Sequence, residues 1–384
     1  MNTIVFGQNS VNTTGLIRSL GQAGYQVFAI LQKTTVNYTA KSKYIKGVWY
    51  VNNSEEWLST IITACNTIRG KIALFSTGDE EAKFVNQNHN VLQKYCFVEG
   101  TKNEKVGNSY FSKDFIYELA DKAGLELIDS YILRDKSIVA LPKIEFPTLV
   151  KALDSTCGGK EVMNVCNDFE SLKQHIKGIN GRFFPIQIQP FITKEKEIML
   201  QGCSMMDGKN VIAPVCFVKT RFSGCGNGYA SYGYSVSTDE DPELHKLKVK
   251  IATIIKTVGY NGLFSAEFLY ANNHYYFLEI NFRNDGTAVV STKSGYNLPD
   301  IQCKGLLNMF SSPSEYSFHK IHYMCEDDFK HVIRRELSLY QWIKDVCRKD
   351  CFWYMIEKKD WKPFIYYILY RINRKIANIT KNVH

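Results

Sequence analysis

The residues with the clearest chemical potential are two glutamates, Glu267 and Glu279, placed twelve positions apart. They lie in Phe264-Ser-Ala-Glu267-Phe268-Leu-Tyr and Tyr276-Phe277-Leu278-Glu279-Ile280-Asn281-Phe282-Arg283, two strand-like runs joined by the polar turn Asn272-Asn273-His274. If that turn is a three-residue loop, Ala271 pairs with Tyr275 and Glu267 falls directly opposite Glu279, with Cβ atoms ~5 Å apart. Glu279, Asn281 and Arg283 then share a face, because strand side chains alternate. Phe268, Phe277, Leu278 and Ile280 make the rest of the hairpin apolar. Like charges facing each other destabilise a sheet unless a cation lies between them. Hard oxygen donors of this kind suit Mg²⁺ bridging the phosphates of a nucleotide.

Two loops add to this pattern. Asp154-Ser155-Thr156-Cys157-Gly158-Gly159-Lys160 joins two strands, so its backbone N–H groups are free to fold over a phosphate as a hairpin flap, the glycines allowing close approach. It is neither a Walker A loop nor a dinucleotide fingerprint, and a plain β-turn accounts for it equally well. Val218 to Tyr229 reads as a glycine-rich substrate loop in which Arg221 or Lys219 clamps a carboxylate or phosphate; a solvated hairpin loop fits it as well.

The elements that must position these groups read as α+β, with an α/β N-terminal portion. Ile4-Val5-Phe6, a polar loop from Gly7 to Thr14, a helix from Gly15 and the strand Val27–Ile30 make a βαβ opening. Helices are expected over 55–68, 111–123, 168–176 and 242–258, and strands over 71–76, 148–153, 161–165, 186–189, 197–205, 211–218, 263–270 and 275–282.

In this order the motifs resemble those of the ATP-grasp enzymes, over roughly residues 1–310. The resemblance implies a Rossmann-like pre-ATP-grasp domain (1–108), a linker helix and flap subdomain (109–190), a larger antiparallel catalytic subdomain (191–320) and a helical C-terminal extension (321–384). It implies that Lys113 and Lys151 contact ATP phosphates and that Ser155, Gly158, Gly159 and Lys160 form the flap. Gln189, Phe191 and Ile192 correspond to the adenine hinge, where the family more often has Glu than Gln189 and where Pro190 lacks an N–H. Glu197 resembles the ribose-contacting acid, with Glu195 competing for the role. Glu267, Glu279 and Asn281 match the set that holds two Mg²⁺ ions, with Mn²⁺ a substitute, and Arg283 matches the catalytic arginine. Asn284-Asp285-Gly286-Thr287 is placed on the amine side. The implied activity is that of the D-aspartate-ligase-type and carbamoyl-phosphate-synthase-like carboxylate–amine ligases, which form an amide through an acyl phosphate. A nucleotide-binding regulatory protein and a kinase-like phosphotransferase are the alternatives.

Composition bounds the setting. Among 384 residues 45% are hydrophobic and 22% charged, which excludes a disordered chain. No run reaches the ~20 apolar residues of a membrane-spanning helix, and the N-terminus reads without a signal sequence. The eleven cysteines contain no C-x-x-C pair, and Cys347 and Cys351, four apart on an expected helix, read as reduced thiols. A cytoplasmic protein is expected, working at the inner face of the membrane if its tail binds there. Residues 330–384 hold 13 Lys/Arg against 5 Asp/Glu and so carry nearly all of the net charge of +9. Trp342, Trp353, Trp361, Phe364, Tyr366, Tyr367 and Tyr370 accompany Ile365, Ile368, Leu369, Ile372, Ile376 and Ile379 at helical spacing, with Arg371, Arg374, Lys375 and Lys381 between them. Such a helix suits an anionic membrane surface, the protein's own body or a second subunit. No motif supports nucleic-acid binding. The expected partners are small carboxylate and amine substrates, among them an amino acid and a sugar or peptide precursor of the cell envelope.

Overall fold

The computed structural model describes residues 1–136, 144–153, 162–223, 229–310, 312 and 315–381, with side chains up to residue 376. The chain divides into two compact units. One comprises Met1–Asn108, Ile198–Ala266 and Ile280–His384, the other Ser109–Glu197 and Glu267–Glu279.

The first unit opens with β1 (Asn2–Gly7), α1 (Val11–Gln22), β2 (Gln26–Gln32), β3 (Ile45–Val51), α2 (Trp57–Thr67), β4 (Ile72–Ser76), α3 (Asp79–Gln87), α4 (His89–Leu92) and β5 (Phe97–Val98). The strands form a parallel sheet in the order β3-β2-β1-β4-β5, as in a Rossmann half. Alternate residues feed two cores, as a sheet covered on both faces requires. Val5, Ala29, Leu31 and Phe75 meet Leu16, Ile17 and Leu20 of α1, whereas Ile4, Phe6, Ile30 and Leu74 meet Ile61 and Ala64 of α2. A short β6 (Gly100–Thr101) follows.

The second unit holds α5 (Lys113–Lys122), β7 (Tyr131–Leu133), β8 (Thr148–Ala152), β9 (Asn164–Cys166), α6 (Phe169–Gly178) and β10 (Ile186–Pro190). Its sheet is antiparallel, in the order β7-β10-β8-β9. Val150, Ala152, Ile186 and Ile188 face a core completed by Leu172 and Ile176 of α6. Asp168 begins α6 by accepting from the Ser171 N–H at 2.7 Å.

Beyond it run β11 (Lys196–Met205), β12 (Asn210–Phe222), β13 (Ala230–Ser237), α7 (Pro242–Val258), β14 (Tyr260–Ala271), β15 (His274–Asn281), α8 (Val289–Lys293), α9 (Leu298–Leu306), β16 (His322–Met324), α10 (Lys330–Ile333), α11 (Leu339–Val346), β17 (Cys351–Trp353) and α12 (Lys362–Lys381). The third sheet has the order β15-β14-β11-β12-β13-β16-β17, with β6 paired to β14. α7 has the ends expected of its sequence. Asp241 caps the Glu243 and Leu244 N–H groups, Pro242 occupies the first turn, and Gly259 at φ 71° closes the helix. Strands β3, β5, β6, β7, β13, β16 and β17 were not foreseen from the sequence. Cys347 ends α11 and Cys351 lies on β17, so the two cysteines do not share a helix turn.

The C-terminal extension is part of the first unit's core. Arg18 of α1 is buried; its Nε donates to Asp360 at 2.9 Å, and its other nitrogens donate to the carbonyls of Tyr354, Met355 and Asp360. Asp360 also accepts from the Ser42 hydroxyl at 2.9 Å and the Lys43 N–H at 2.8 Å. The two side chains are 5% and 1% exposed, so neither charge has water as an alternative partner. Asp360→Ala strands the guanidinium, and we expect it to lower stability by about 3–5 kcal/mol in denaturant unfolding.

Glu99 is fully buried beside this sheet, accepting from the Ser76 N–H and hydroxyl and from the Leu263 N–H at 2.8, 3.1 and 3.0 Å. Burial pushes its carboxyl up to about 7, against an ordinary 4.5, although those three donors pull the other way. The folded state therefore binds this proton more tightly than the unfolded chain, and stability falls as pH rises from about 4.5 to about 7. Melting curves across that window are expected to show the decline, and Glu99→Gln to flatten it.

Candidate functional site

In the second unit, three elements bring two cations and a carboxylate together. Ser112 is the N-cap of α5, which places Lys113 at the first helical position. Lys113 Nζ lies 3.7 Å from Glu279 Oε2 on β15. One turn further along α5, the Tyr117 hydroxyl donates to the Leu278 carbonyl at 3.0 Å, and its ring meets Phe277 edge-on at 6.0 Å. These contacts fix α5 against the strand that carries Glu279. Lys151 comes from β8, on the strand face opposite Val150 and Ala152, and pairs in register with Gln187 of β10. Burial, reinforced by the neighbouring Lys113, pulls the Lys151 ammonium down to about 8, with Glu279 opposing the shift.

Lys151 is desolvated while Lys113 and Glu279 keep some contact with water, so among these three groups two amines face one carboxylate. A polyanion such as a nucleotide's phosphates relieves that excess. Among the described residues no cluster of three or more His, Cys, Asp or Glu side chains is placed to hold a metal. A carboxylate such as Glu279 is a hard oxygen donor of the kind suited to Mg²⁺, an ion that takes its remaining ligands from phosphate and water.

The hairpin differs from its expected form. β14 ends at Ala271 and β15 starts at His274, so the turn is Asn272-Asn273, with φ of 51° and 64°. Both residues are left-handed, the geometry of the tight two-residue turn that asparagine tolerates. The ring pairs Tyr270–Tyr275 and Phe268–Phe277, at 4.7 and 5.6 Å, match this shorter turn. Counting from it places Leu278, not Glu279, across from Glu267. Buried Phe277 and Ile280 are three residues apart, so strict alternation breaks before Glu279.

The hinge residues follow β10. The Gln189 carbonyl accepts from the Thr148 hydroxyl at 2.7 Å, and the Phe191 N–H donates to the Pro147 carbonyl at 2.8 Å. Ile192 follows at once in the open segment leading to β11. Glu197 accepts from Lys194 at 2.6 Å, whereas Glu195 accepts from the Asn272 N–H at 2.9 Å and braces the hairpin turn. Ser155, Gly158, Gly159 and Lys160 lie outside the described residues, as do Gly224 to Gly228.

In the first unit, Arg283 is aimed by a residue the sequence did not single out. Its Nε and one terminal nitrogen donate to the two oxygens of Asp79, at 2.7 and 3.2 Å, and that terminal nitrogen also donates to the Asn281 amide oxygen at 3.2 Å. Asp79 occupies the first turn of α3, where acids are common for helix-dipole reasons alone, so its role had no distinct signal.

The segment after Arg283 leads into a cavity of about 520 Å³, lined in part by Ser10, Gly286, Tyr323, Glu326, Tyr354 and Tyr370. Burial raises the Glu326 carboxyl. Burial also pushes Asp327 up, but Lys330, Tyr229 and Arg371 overcome it and hold that carboxyl down to about 2. Arg374 and Lys375 complete the lining. Most of these residues come from the extension, which the sequence reading had set apart from the site. A hollow of about 630 Å³ beside α6 has neither Lys, Arg, Asp nor Glu in its lining and offers no comparable chemistry.

Arg221 does not act as a substrate clamp. It lies near the end of β12 rather than on a loop, and all three guanidinium nitrogens donate to carboxylates: two to Asp328 at 3.0 and 2.8 Å, one to Asp345 at 2.7 Å. Tyr232 stacks on the guanidinium at 3.8 Å, and Lys219 is buried within the same strand. Arg221 thus neutralises buried acids.

Comparison with known proteins bears on the fold. A family profile described as "ATP-grasp in the biosynthetic pathway with Ter operon" matches residues 232–325. The C-terminal section of the carbamoyl phosphate synthase large chain of Aquifex aeolicus is 27% identical over 213 residues, which are 53% of this chain and 38% of that protein. Among solved structures, N5-carboxyaminoimidazole ribonucleotide synthetase from Thermus thermophilus aligns with a TM-score of 0.63 at 9% identity, over 83% of this chain and 82% of that one. L-amino acid ligase from Bacillus licheniformis aligns at 0.60 and 11% identity over 80% and 74%. Biotin carboxylase from Campylobacter jejuni aligns at 0.61 and 19% identity over 84% and 74%. The fold is the ATP-grasp fold.

The Lys113–Lys151 proximity is open to direct measurement. Lys113→Ala removes the nearest like charge, so the Lys151 pKa is expected to rise above about 8 in a lysine side-chain NMR titration.

Proposed function

We propose that this ATP-grasp chain is an Mg-ATP-dependent ligase that joins a carboxylate to an amine through an acyl phosphate. The observation that carries the reading is the meeting of Lys113, Lys151 and Glu279, a positive pocket with one acid, from the three elements that the motif order assigns to ATP. The solved structures of similar fold support it, since one is titled an L-amino acid ligase. The matched stretch covers only 38% of the carbamoyl phosphate synthase relative, so the activity rests on this site and not on that protein's.

Lys113 and Lys151 hold the β- and γ-phosphates, with the flap over 155–160 closing on them. Glu267, Glu279 and Asn281 would hold Mg²⁺, as two ions for which Mn²⁺ could substitute, and the metal would supply neutralisation of the phosphate charge. A substrate carboxylate oxygen attacks the γ-phosphorus and ADP leaves. The amine then attacks the carbonyl carbon of the acyl phosphate, phosphate departs, and the amine loses a proton. Arg283, held in line by Asp79, faces the negative charge that develops, a task in which preorganised donors contribute most. The cavity beyond Arg283 accepts a substrate. Its tyrosines and rim cations suit an amino acid or an anionic sugar or peptide precursor of the cell envelope.

Glu279→Gln is expected to lower Mg-ATP turnover at least a hundredfold while the melting temperature stays within a few degrees of the parent. Phosphate release is measured against a panel of amino and uronic acids, each with and without an amine. Release that needs one carboxylate and rises with the amine supports ligation. Release that needs no amine replaces it with phosphoryl transfer, and retained turnover in Glu279→Gln removes the metal assignment.

A further inference from the structure

We infer that the C-terminal extension seats the protein on an anionic lipid surface. The geometry of α12 carries the inference. At about 3.6 residues per turn, Tyr367, Tyr370, Arg371 and Arg374 share one side of the helix, and Ile365, Ile368, Leu369, Ile372 and Ile376 share the other. The first side is docked on the protein's own body. The Tyr367 and Tyr370 rings meet Tyr38 at 5.2 and 5.5 Å, and Arg371 donates to Asp327 at 2.7 Å. The second side faces outward: Ile365, Ile368, Leu369 and Ile372 are each 40–48% exposed. Single exposed apolar side chains are ordinary on a soluble surface, but a continuous stripe along a helix is not.

The patch extends beyond one helix. Ile368 and Ile372 border a groove of about 390 Å³ together with Phe364, Ile356 and Trp353. Trp353 meets Trp342 of α11 at 6.2 Å, and Trp342 meets Phe329 at 4.9 Å. On α11 itself Leu339, Tyr340 and Ile343 are exposed, and Trp361 is exposed just before α12. Indole and phenol rings at the rim of an aliphatic face are the groups that settle at the headgroup level of a bilayer.

Charge selects the occupant. Residues 330–384 hold 13 cations and five acids, and each of those five acids is engaged. Arg18, Arg221 and Lys293, from elsewhere in the chain, take Asp360, Asp345 and Glu357. Asp350 binds His322 and Arg348, and Glu336 binds His331. Three of these five acids are thus paired with cations from outside the stretch, whose 13 Lys/Arg exceed its acids by eight. Lys362 and Lys375 fall at the two edges of the apolar stripe. A second copy of the chain would cover the stripe but bring two such basic regions together, whereas an anionic bilayer meets both the apolar face and the charge. Among the described residues no helix is long and apolar enough to cross a membrane, so α12 lies along the surface.

Flotation of the full chain with vesicles tests this. Vesicles of phosphatidylcholine containing phosphatidylglycerol are expected to carry the protein at least roughly tenfold better than phosphatidylcholine alone, less so at high salt. The triple substitution Ile368→Ser, Leu369→Ser, Ile372→Ser and the double substitution Lys362→Glu, Lys375→Glu should each reduce capture by a similar factor. The mutated apolar side chains and Lys362 lie at or near the surface, so circular dichroism and melting should match the parent. Capture that ignores phosphatidylglycerol, or that survives both variants, overturns the inference. A dimer in light scattering that the triple variant abolishes, without vesicle binding by the parent, assigns the face to a second copy instead.

Discussion

Two amines, one of them largely buried, meet the Glu279 carboxylate in the second unit, and holding these like charges together is the constraint on which that unit depends. Lys113 and Lys151 repel each other, while Glu279 lies 3.7 Å from Lys113 and also offsets part of the shift at Lys151. A free chain would let the lysines move into water. Here the cap at Ser112, the Tyr117 hydrogen bond to the Leu278 carbonyl and the β8–β10 register prevent it. The rigid elements thus hold a pair of like charges that is unfavourable by itself.

The first unit handles charge in the opposite manner. Its buried cations are saturated: Arg18 by Asp360 and three carbonyls, Arg221 by Asp328 and Asp345, Arg283 by Asp79 and Asn281. Of these only Arg283 keeps a partner, Asp79, whose side chain is itself half exposed. A guanidinium held by a wet carboxylate is positioned without being consumed, which distinguishes it from Arg221, whose partners are buried. Sequence motifs do not separate these cases, because the difference lies in what surrounds the partner and not in the arginine.

What was legible in the sequence follows the same physics. Local signals carried far: Asp241-Pro242 and Gly259 bounded α7, alternation gave β10 and β11, and the βαβ opening announced the parallel sheet. Lys113 and Glu279 were chosen independently, on motif order, and the fold brings them within reach of each other. The hairpin turn was misjudged by one residue because Asn272-Asn273-His274 offers polar residues for either loop length, and only the adoption of positive φ by both asparagines decides it. Arg221 was misassigned because glycines begin just after it, so the strand looked as if it ended earlier. The cavity beyond Arg283 was illegible, since its walls come from residues near 10, 286, 325 and 370, and nothing local in any of these segments refers to the others.

The contact between Arg18 and Asp360 spans 342 residues of sequence, and this has a consequence for the ribosome as well as for the folded protein. Helix α1 emerges early, yet the acid that satisfies its buried guanidinium is made near the end. At roughly 5–20 residues per second, synthesis of the intervening chain takes on the order of half a minute. During that interval the Rossmann-like sheet can form its strands but cannot bury Arg18 without cost. The second unit, drawn mostly from one continuous stretch, has no such wait. Its nascent sheet is therefore free to complete while the first unit remains open, and the segment that locks the first helix into place is made 342 residues after it.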